Sequence, residues 1–359
     1  MQAVRNGAGS CRRLVGQRSD ERPTFTAGVI ELRLLVIGGT GEISFACVAE
    51  AARAGHQVTV FNRGHTSEAL PSGVEQTVGD RRDYLALTEL ASKNFDVVCQ
   101  FLAFDVPDAA ADITTFKGRC GQFVFVSSAS VYRRPVLQLP VNETSPVGNR
   151  FSPYAEAKLR CETVYRQAHD EGLIPVTIIR PSHTYRHRLP STIVSGDHLA
   201  WRLLRGKPVA VHGDGQSLWT LTHADDFARA FVALCGLGGA VGQTLNITDS
   251  TGHTWNEILT NVATAIGVTP DIRAIPTLPL ETAIPDLEPT LSGDKASSLI
   301  FEQSNLKSLV NGWQCDIPLE LGIRSAWNFA SKRLADGFHP DALFDSKIDK
   351  LIEQSGVHR

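Results

Sequence analysis

A short apolar run that ends at once in a glycine-rich turn constrains this chain more than any other feature. Leu32-Arg-Leu-Leu-Val-Ile37 reads as a buried strand, and Gly38-Gly-Thr-Gly41-Glu-Ile-Ser44 closes it. An Ala-rich helix follows over about 43–54 and stops at Gly55. The rhythm then repeats. Gln57–Phe61, Val74–Val78, Phe95–Cys99, Gln122–Val126 and Pro175–Arg180 are further short apolar strands, most of them separated by helical patterns. Such alternation predicts an α/β fold, a doubly wound parallel sheet (Rossmann type) covered by helices on both faces.

Bare glycines let a backbone approach a pyrophosphate, and the start of the next helix offers unpaired N–H groups and a favourable dipole. The turn is therefore expected to bind a dinucleotide through Gly38, Thr40, Gly41, Glu42 and Ile43. Ser44 stands in place of a third glycine and is small enough to keep helix and sheet close. After the second strand, a site for NAD usually sets Asp or Glu against the ribose 2′-hydroxyl. This chain has Asn62-Arg63 and no acid. An arginine there can pair with a 2′-phosphate, which favours NADP, with NAD as the alternative. The other reading of Arg63 is a solvated loop charge. Asp80, in Val78-Gly-Asp-Arg-Arg82, is placed either to accept from an adenine amino group or to cap a helix, and Arg81 is counted with it in the cofactor site.

A second constellation lies downstream. Pro153 is a natural start for a helix carrying Tyr154-Ala-Glu-Ala-Lys158. A Tyr and a Lys four apart share one helix face. A free tyrosine, with a pKa of about 10, is a poor base near neutrality, and a nearby cation favours its phenolate. With Ser128 to hold a substrate oxygen and a dinucleotide alongside, the implied chemistry is hydride transfer at a carbinol carbon.

Val36-Ile-Gly-Gly-Thr-Gly41, Asp96-Val-Val98, Phe125-Val-Ser-Ser-Ala-Ser-Val-Tyr132, Tyr154-x-x-x-Lys158, Arg180-Pro181 and His223-Ala-Asp-Asp226 carry a family resemblance. In these residues the chain resembles the extended short-chain dehydrogenase/reductase superfamily, in its NAD-dependent epimerase/dehydratase branch. The resemblance runs from about Leu32 to Ile247 and more loosely to about Ala330. It implies Tyr154 as acid/base and Ser128 as the binder of the substrate oxygen, with Ser127 a strand-end residue. It also implies that Lys158 orients the nicotinamide ribose and lowers the tyrosine pKa, and that the protein is a homodimer. Three departures stand out. Ala129-Ser130 follow Ser128 where nucleotide-sugar dehydratases carry Asp-Glu. Trp219 ends Gly213-Asp-Gly-Gln-Ser-Leu-Trp219 where the branch has an Arg that grips a diphosphate. Arg133-Arg134 replace Gly after Tyr132, and His183 takes a position usually held by Asn. His183 and Trp219 are thus expected to line the substrate site. The preferred ligand is expected to be a smaller polyol, glycoside or hydroxy-ketone, unless Arg133, Arg134, Arg186 or Arg188 supplies the missing charge.

After Arg180 the strand–helix rhythm breaks. Residues 31–185 with about 223–250 are expected to form the dinucleotide-binding domain. Residues 186–222 and 251–359, richer in loops, Pro and Trp, are expected to form a smaller lobe over the carboxyl edge of the sheet. Residues 1–30, with Arg5, Arg12, Arg13, Arg18 and Arg22 among small polar residues, read as a disordered tail; Asp20 and Glu21 weaken the alternative of a transit peptide. Seven scattered cysteines without a C-x-x-C pair suit a reducing, cytoplasmic setting. His183 and His187 lack a nearby acid and read as loop histidines, not a metal pair. His223 and Asp225-Asp226 read as a helix cap. A net charge of −3 argues against a nucleic-acid partner, and no apolar run reaches the length of a membrane span. The resulting expectation is an NAD(P)-dependent oxidoreductase or epimerase acting on a secondary alcohol of a sugar-like small molecule. A nucleotide sensor and an RNA-binding relative on the same fold are the alternatives, the sensor disfavoured because Tyr and Lys are both kept.

Overall fold

Strand β1 (Arg33–Ile37) is buried from Leu34 onward, as an unbroken apolar run requires at the centre of a parallel sheet. The computed structural model in which it lies describes residues 31–66 and 68–356, so the tail expected over 1–30 falls outside the described residues. In chain order β1 leads to α1 (Glu42–Arg53), β2 (Gln57–Asn62), β3 (Glu75–Val78), α2 (Tyr84–Ala91) and β4 (Phe95–Gln100). Then come α3 (Val106–Phe116), β5 (Cys120–Val126), α4 (Pro153–Asp170), β6 (Val176–Pro181) and β7 (His183–Tyr185). The strands expected from sequence up to Arg180 are all present, with ends displaced by a residue or two.

The remainder is built from shorter pieces. These are α5 (Gly196–Leu204), β8 (Val209–His212), β9 (Leu218–Trp219), β10 (Leu221–His223), α6 (Ala224–Leu234), β11 (Thr244–Ile247) and β12 (His253–Thr254). They continue with α7 (Trp255–Ile266), β13 (Ile272–Ile275), α8 (Thr277–Ala283), α9 (Ser304–Leu309), α10 (Leu319–Ala335) and α11 (Ala342–Ser355). No helix among the described residues is long and apolar enough to cross a membrane.

The main sheet has seven strands in the order β11-β6-β5-β4-β1-β2-β3, and each neighbouring pair is parallel. β1 sits between β2 and β4, with Leu35 opposite Thr59 on one side and Val98 on the other. Winding reverses at this pair, and the crevice beyond the carboxyl ends of β1 and β4 is the switch point where such sheets bind ligands. Alternate residues of each strand serve opposite faces. Val36, Val97 and Val124 pack with Phe227 and Phe231, whereas Leu35, Val98 and Phe123 pack with Leu87, Phe116 and Tyr165. α1 and α6 thereby cover one face, and α2, α3 and α4 the other. A third apolar core joins α5, α7 and α10 around Trp219 and Trp255, and a fourth packs α8 and α11 on Ile275. From Glu31 onward the contacts form one unit, and the return to the main sheet is made by α6 and β11, which lies against β6.

Candidate active site

The glycine turn fits a dinucleotide. Gly38 and Gly39 have φ of 119° and 84°, a region that side chains disfavour. A Cβ on Gly39 would lie 2.6 Å from Val60 Cγ1, so the turn hugs β2 and leaves the crevice clear. Gly41 is the N-cap of α1, whose first N–H groups have no intrahelical partner. Ser44 does more than fill space: its Oγ accepts from the Gly41 N–H at 3.0 Å. Glu42 departs from expectation. Its carboxylate turns toward the backbone of Arg186, His187 and Arg188, so only its main chain is left for a nucleotide.

At the end of β2, Asn62 is buried and bonded through both its amide nitrogen and its amide oxygen. It donates to the Gly38 carbonyl at 3.1 Å and accepts from Gly64 N and Gln76 Nε2 at 2.8 and 2.9 Å. It braces the turn through these bonds. Arg63 is exposed and pairs with no described acid. Asp80 is exposed and accepts from Arg82 N, while the cap of α2 falls to Asp83. Arg81 corrects a second expectation. Its guanidinium is turned inward, 2.7 Å from Asp108 and 3.2 Å from Asp112, and donates to the Leu102 carbonyl at 2.9 Å. It is held in a buried network that also takes in Gln100 and Tyr165, so its charge supports the loop after β4. Burial pushes the Asp112 carboxyl up to about 6 against the pull of Arg81.

One face of α4 carries the residues expected to be catalytic. Ser152 caps the helix, Pro153 opens it, and Tyr154, Lys158 and Glu162 follow at four-residue intervals. Lys158 is 2% exposed, and its Nζ donates to the carbonyls of Ala103 and Val126 at 2.8 and 3.0 Å. Burial pushes its ammonium down to about 8. Glu162, one turn on, is fully buried and accepts from Ser127 Oγ at 2.6 Å and from Arg180 at 2.9 and 2.6 Å. Successive turns of α4 thus grip the ends of β5 and β6. Ser127 is committed to this grip, while Ser128 begins the following turn. Ser128 Oγ accepts from Ser130 N and Ser130 Oγ at 3.1 and 2.9 Å, which leaves its own proton to donate.

Ser128 and Tyr154 come together. Burial raises the Tyr154 pKa, the hydrogen bond with Ser128 opposes that rise, and the Asp294 carboxylate adds to it. Tyr154 is nevertheless 47% exposed, which limits how far burial can act. Lys158 approaches the Tyr154 ring but is engaged elsewhere. Its Nζ is 6.0 Å from the Tyr154 ring centroid and is turned toward two carbonyls.

The lobe side differs more from the sequence reading. Trp219 is only 2% exposed, next to Trp255, with Nε1 donating to His183 Nδ1 at 3.2 Å. It is a core residue packed with α5, α7 and α10, so the expectation that it lines the substrate site is corrected. His183 is half-buried, and burial pushes its pKa down to about 3. Because Nδ1 accepts, the proton of the neutral ring is assigned to Nε2. Two of the four arginines weighed as replacement charges are engaged: Arg134 with Asp294 at 3.0 Å and Arg186 with Glu68 at 2.8 Å. His187 stacks on Phe329, apart from His183, and His223 Nδ1 caps α6. Among the described residues no cluster of His, Cys, Asp or Glu could hold a metal.

Two residues here escaped the sequence reading. Asp294 acts on Tyr154, and Lys295 Nζ lies 5.5 Å from the Trp219 ring centroid and 3.4 Å from Asp294. They belong to a π-helical turn, Leu291–Lys295, pinned by Asn149 Nδ2, which donates to the carbonyls of Gly293 and Ser130 at 2.6 and 2.9 Å. The Ser-Gly-Asp-Lys run carries no periodicity that would have marked it.

Residues 34–248 match the profile of the NAD dependent epimerase/dehydratase family. 2′-Dehydrokanamycin reductase of Streptomyces kanamyceticus is 29% identical over 239 residues, which span 66% of this chain and 67% of that protein. The chloroplast stem-loop binding protein of 41 kDa b of Arabidopsis thaliana is 26% identical over 238 residues, 62% of this chain and 60% of its own length. The fold is similar to that of UDP-glucose 4-epimerase from Bifidobacterium longum, solved with NAD+ and UDP. The TM-score is 0.68 at 20% identity, over 85% of this chain and 99% of the other.

Proposed function

The chain belongs to the NAD dependent epimerase/dehydratase family, and on that premise we propose that it is an NADP-dependent epimerase or reductase acting on a secondary alcohol, or its ketone, in a sugar-like small molecule. The observation that carries this reading is Ser128 and Tyr154 brought side by side, with Lys158 one turn behind, at the switch-point crevice. Tyr154 exchanges a proton with the substrate oxygen, and the free proton of Ser128 holds that oxygen in place. The nicotinamide, when bound, supplies or accepts the hydride at carbon. A raised phenol pKa keeps Tyr154 protonated at neutrality, the state that donates to a carbonyl oxygen. Oxidation of an alcohol needs the same residue to receive that proton. The third N–H of Lys158, beyond the two that reach carbonyls, is left for the nicotinamide ribose.

The preference for NADP rests on Arg63, exposed after β2 where a carboxylate would repel a 2′-phosphate. Elimination of water is disfavoured, because Ala129 is buried and the Ser130 hydroxyl is spent on Ser128. A small polyol, glycoside or hydroxy-ketone is favoured over a nucleotide sugar, because the diphosphate-gripping position is a buried Trp219 and both Arg134 and Arg186 are paired. The reductase relative is likewise named for a substrate other than a nucleotide sugar. Calorimetry on the cofactor-loaded protein tests the substrate class, and UDP- and dTDP-sugars should give no low-micromolar binding. Such binding would overturn the small-ligand reading, and its loss in Lys295→Met would name Lys295 as the replacement charge.

A further inference from the structure

The side chain of Glu42 has no counterpart in the chemistry above. One of its carboxylate oxygens accepts three successive backbone N–H groups, from Arg186 at 3.1 Å, His187 at 2.9 Å and Arg188 at 3.3 Å. Converging consecutive amides of this kind form an anion-holding nest. Here the anion comes from the protein's own glycine turn.

The segment so held is fastened at other points. The Arg186 guanidinium is bidentate to Glu68 at 3.0 and 2.8 Å and lies 4.3 Å from the ring centroid of Phe45 on α1. The His187 carbonyl accepts from Arg333 at 3.0 Å, and the same arginine is bidentate to Asp197. Glu68 belongs to the connection after β2. The strap formed by residues 186–188 therefore runs from the turn expected to hold the pyrophosphate toward the connection flanking the adenosine end. The same carboxylate sits in the first turn of α1, where the helix dipole stabilises it even when the strap is released.

We propose that Glu42 is a retention residue for the dinucleotide, its carboxylate tying the 186–188 strap across the glycine turn so that nucleotide leaves slowly. This rests on the reading of that turn as the nucleotide site. Slow release suits a reaction in which the hydride returns to the substrate, because the nucleotide ends each cycle as it began. It would cap the turnover of a net reductase, which must exchange nucleotide every cycle.

The test is stopped-flow displacement of NADPH from the full chain, followed by nicotinamide fluorescence. Glu42→Ala should raise the dissociation rate at least about tenfold, with association changed less than about threefold. Glu42→Gln, which keeps an acceptor but no charge, should fall between Ala and wild type. Glu42→Asp, shorter by one methylene, should resemble Ala if reach to the strap matters. Thermal melts without nucleotide check that each variant is folded, and the Gln and Asp comparison stands if Ala fails to fold. Unchanged dissociation in these variants would overturn the proposal, as would a wild-type rate in Glu42→Asp beside a fast one in Glu42→Ala. Failure of the wild type to bind either NADPH or NADH would overturn the nucleotide-site reading itself, a result distinct from a strap that does not retain.

Discussion

Raising the pH should loosen the grip on the cofactor through one lysine. Burial pushes the Lys158 ammonium from its ordinary value near 10.5 down to about 8. In the folded, nucleotide-free protein it is therefore about 90% charged at pH 7 and about 10% charged at pH 9. If the charged form binds the nicotinamide ribose, the nucleotide Kd should rise about tenfold between those values, with most of the change above pH 8. The sign is opposite in the stability of the nucleotide-free protein, which rises with pH over this window. A lysine with a depressed folded pKa costs stability while it is charged, and the cost is relieved as pH climbs from about 8 toward the unfolded value near 10.4. The full relief is on the order of 3 kcal/mol. Fluorescence titration of NADPH from pH 7 to 9.5, with wild type and Lys158→Met, measures the binding effect. A flat wild-type profile, or the same slope in Lys158→Met, would refute the reasoning.

Two further outcomes follow from the same geometry. Glu162→Ala strands the buried Arg180 guanidinium and should cost about 3–5 kcal/mol in urea unfolding, because breaking one side of a buried pair leaves its partner uncompensated; a loss below about 1 kcal/mol would deny the grip a structural role. Arg63→Ala should weaken NADP binding and leave NAD nearly unchanged, since only NADP carries the 2′-phosphate; a wild type that prefers NAD would sink the assignment.

The sheet was legible because its inner strands are buried and read as apolar runs, with turns marked by glycine, whereas the edge strand β3 is largely exposed. The shared face of Tyr154 and Lys158 on α4 was legible because the two obey helical spacing within one element. Glu162 stands on that same face and local spacing gave it no role, since its partners Ser127 and Arg180 lie 35 positions upstream and 18 downstream. Arg81 and Trp219 were misread for a related reason. A charged residue beside a cofactor strand and an aromatic at a substrate position suggest exposure, and only tertiary packing reveals Asp108 and Asp112 beneath one and Trp255 against the other. Asp294 and Lys295 lie in an irregular turn between α8 and α9 brought to Tyr154 by tertiary packing, where local pattern carries no information.

The central claim is that Tyr154 moves the proton in a hydride-transfer reaction on a carbinol or its ketone. The most direct measurement is a single-turnover assay in which NADPH-loaded protein is mixed with a panel of keto-sugars and hydroxy-ketones and loss of reduced nicotinamide absorbance is followed. Wild type should oxidise its nucleotide with at least one of them. Tyr154→Phe should slow that step by at least about a hundredfold while binding NADPH within about threefold of wild type, because the change removes a proton relay and little else. Wild-type speed in Tyr154→Phe on the same substrate would place the chemistry elsewhere and contradict the account.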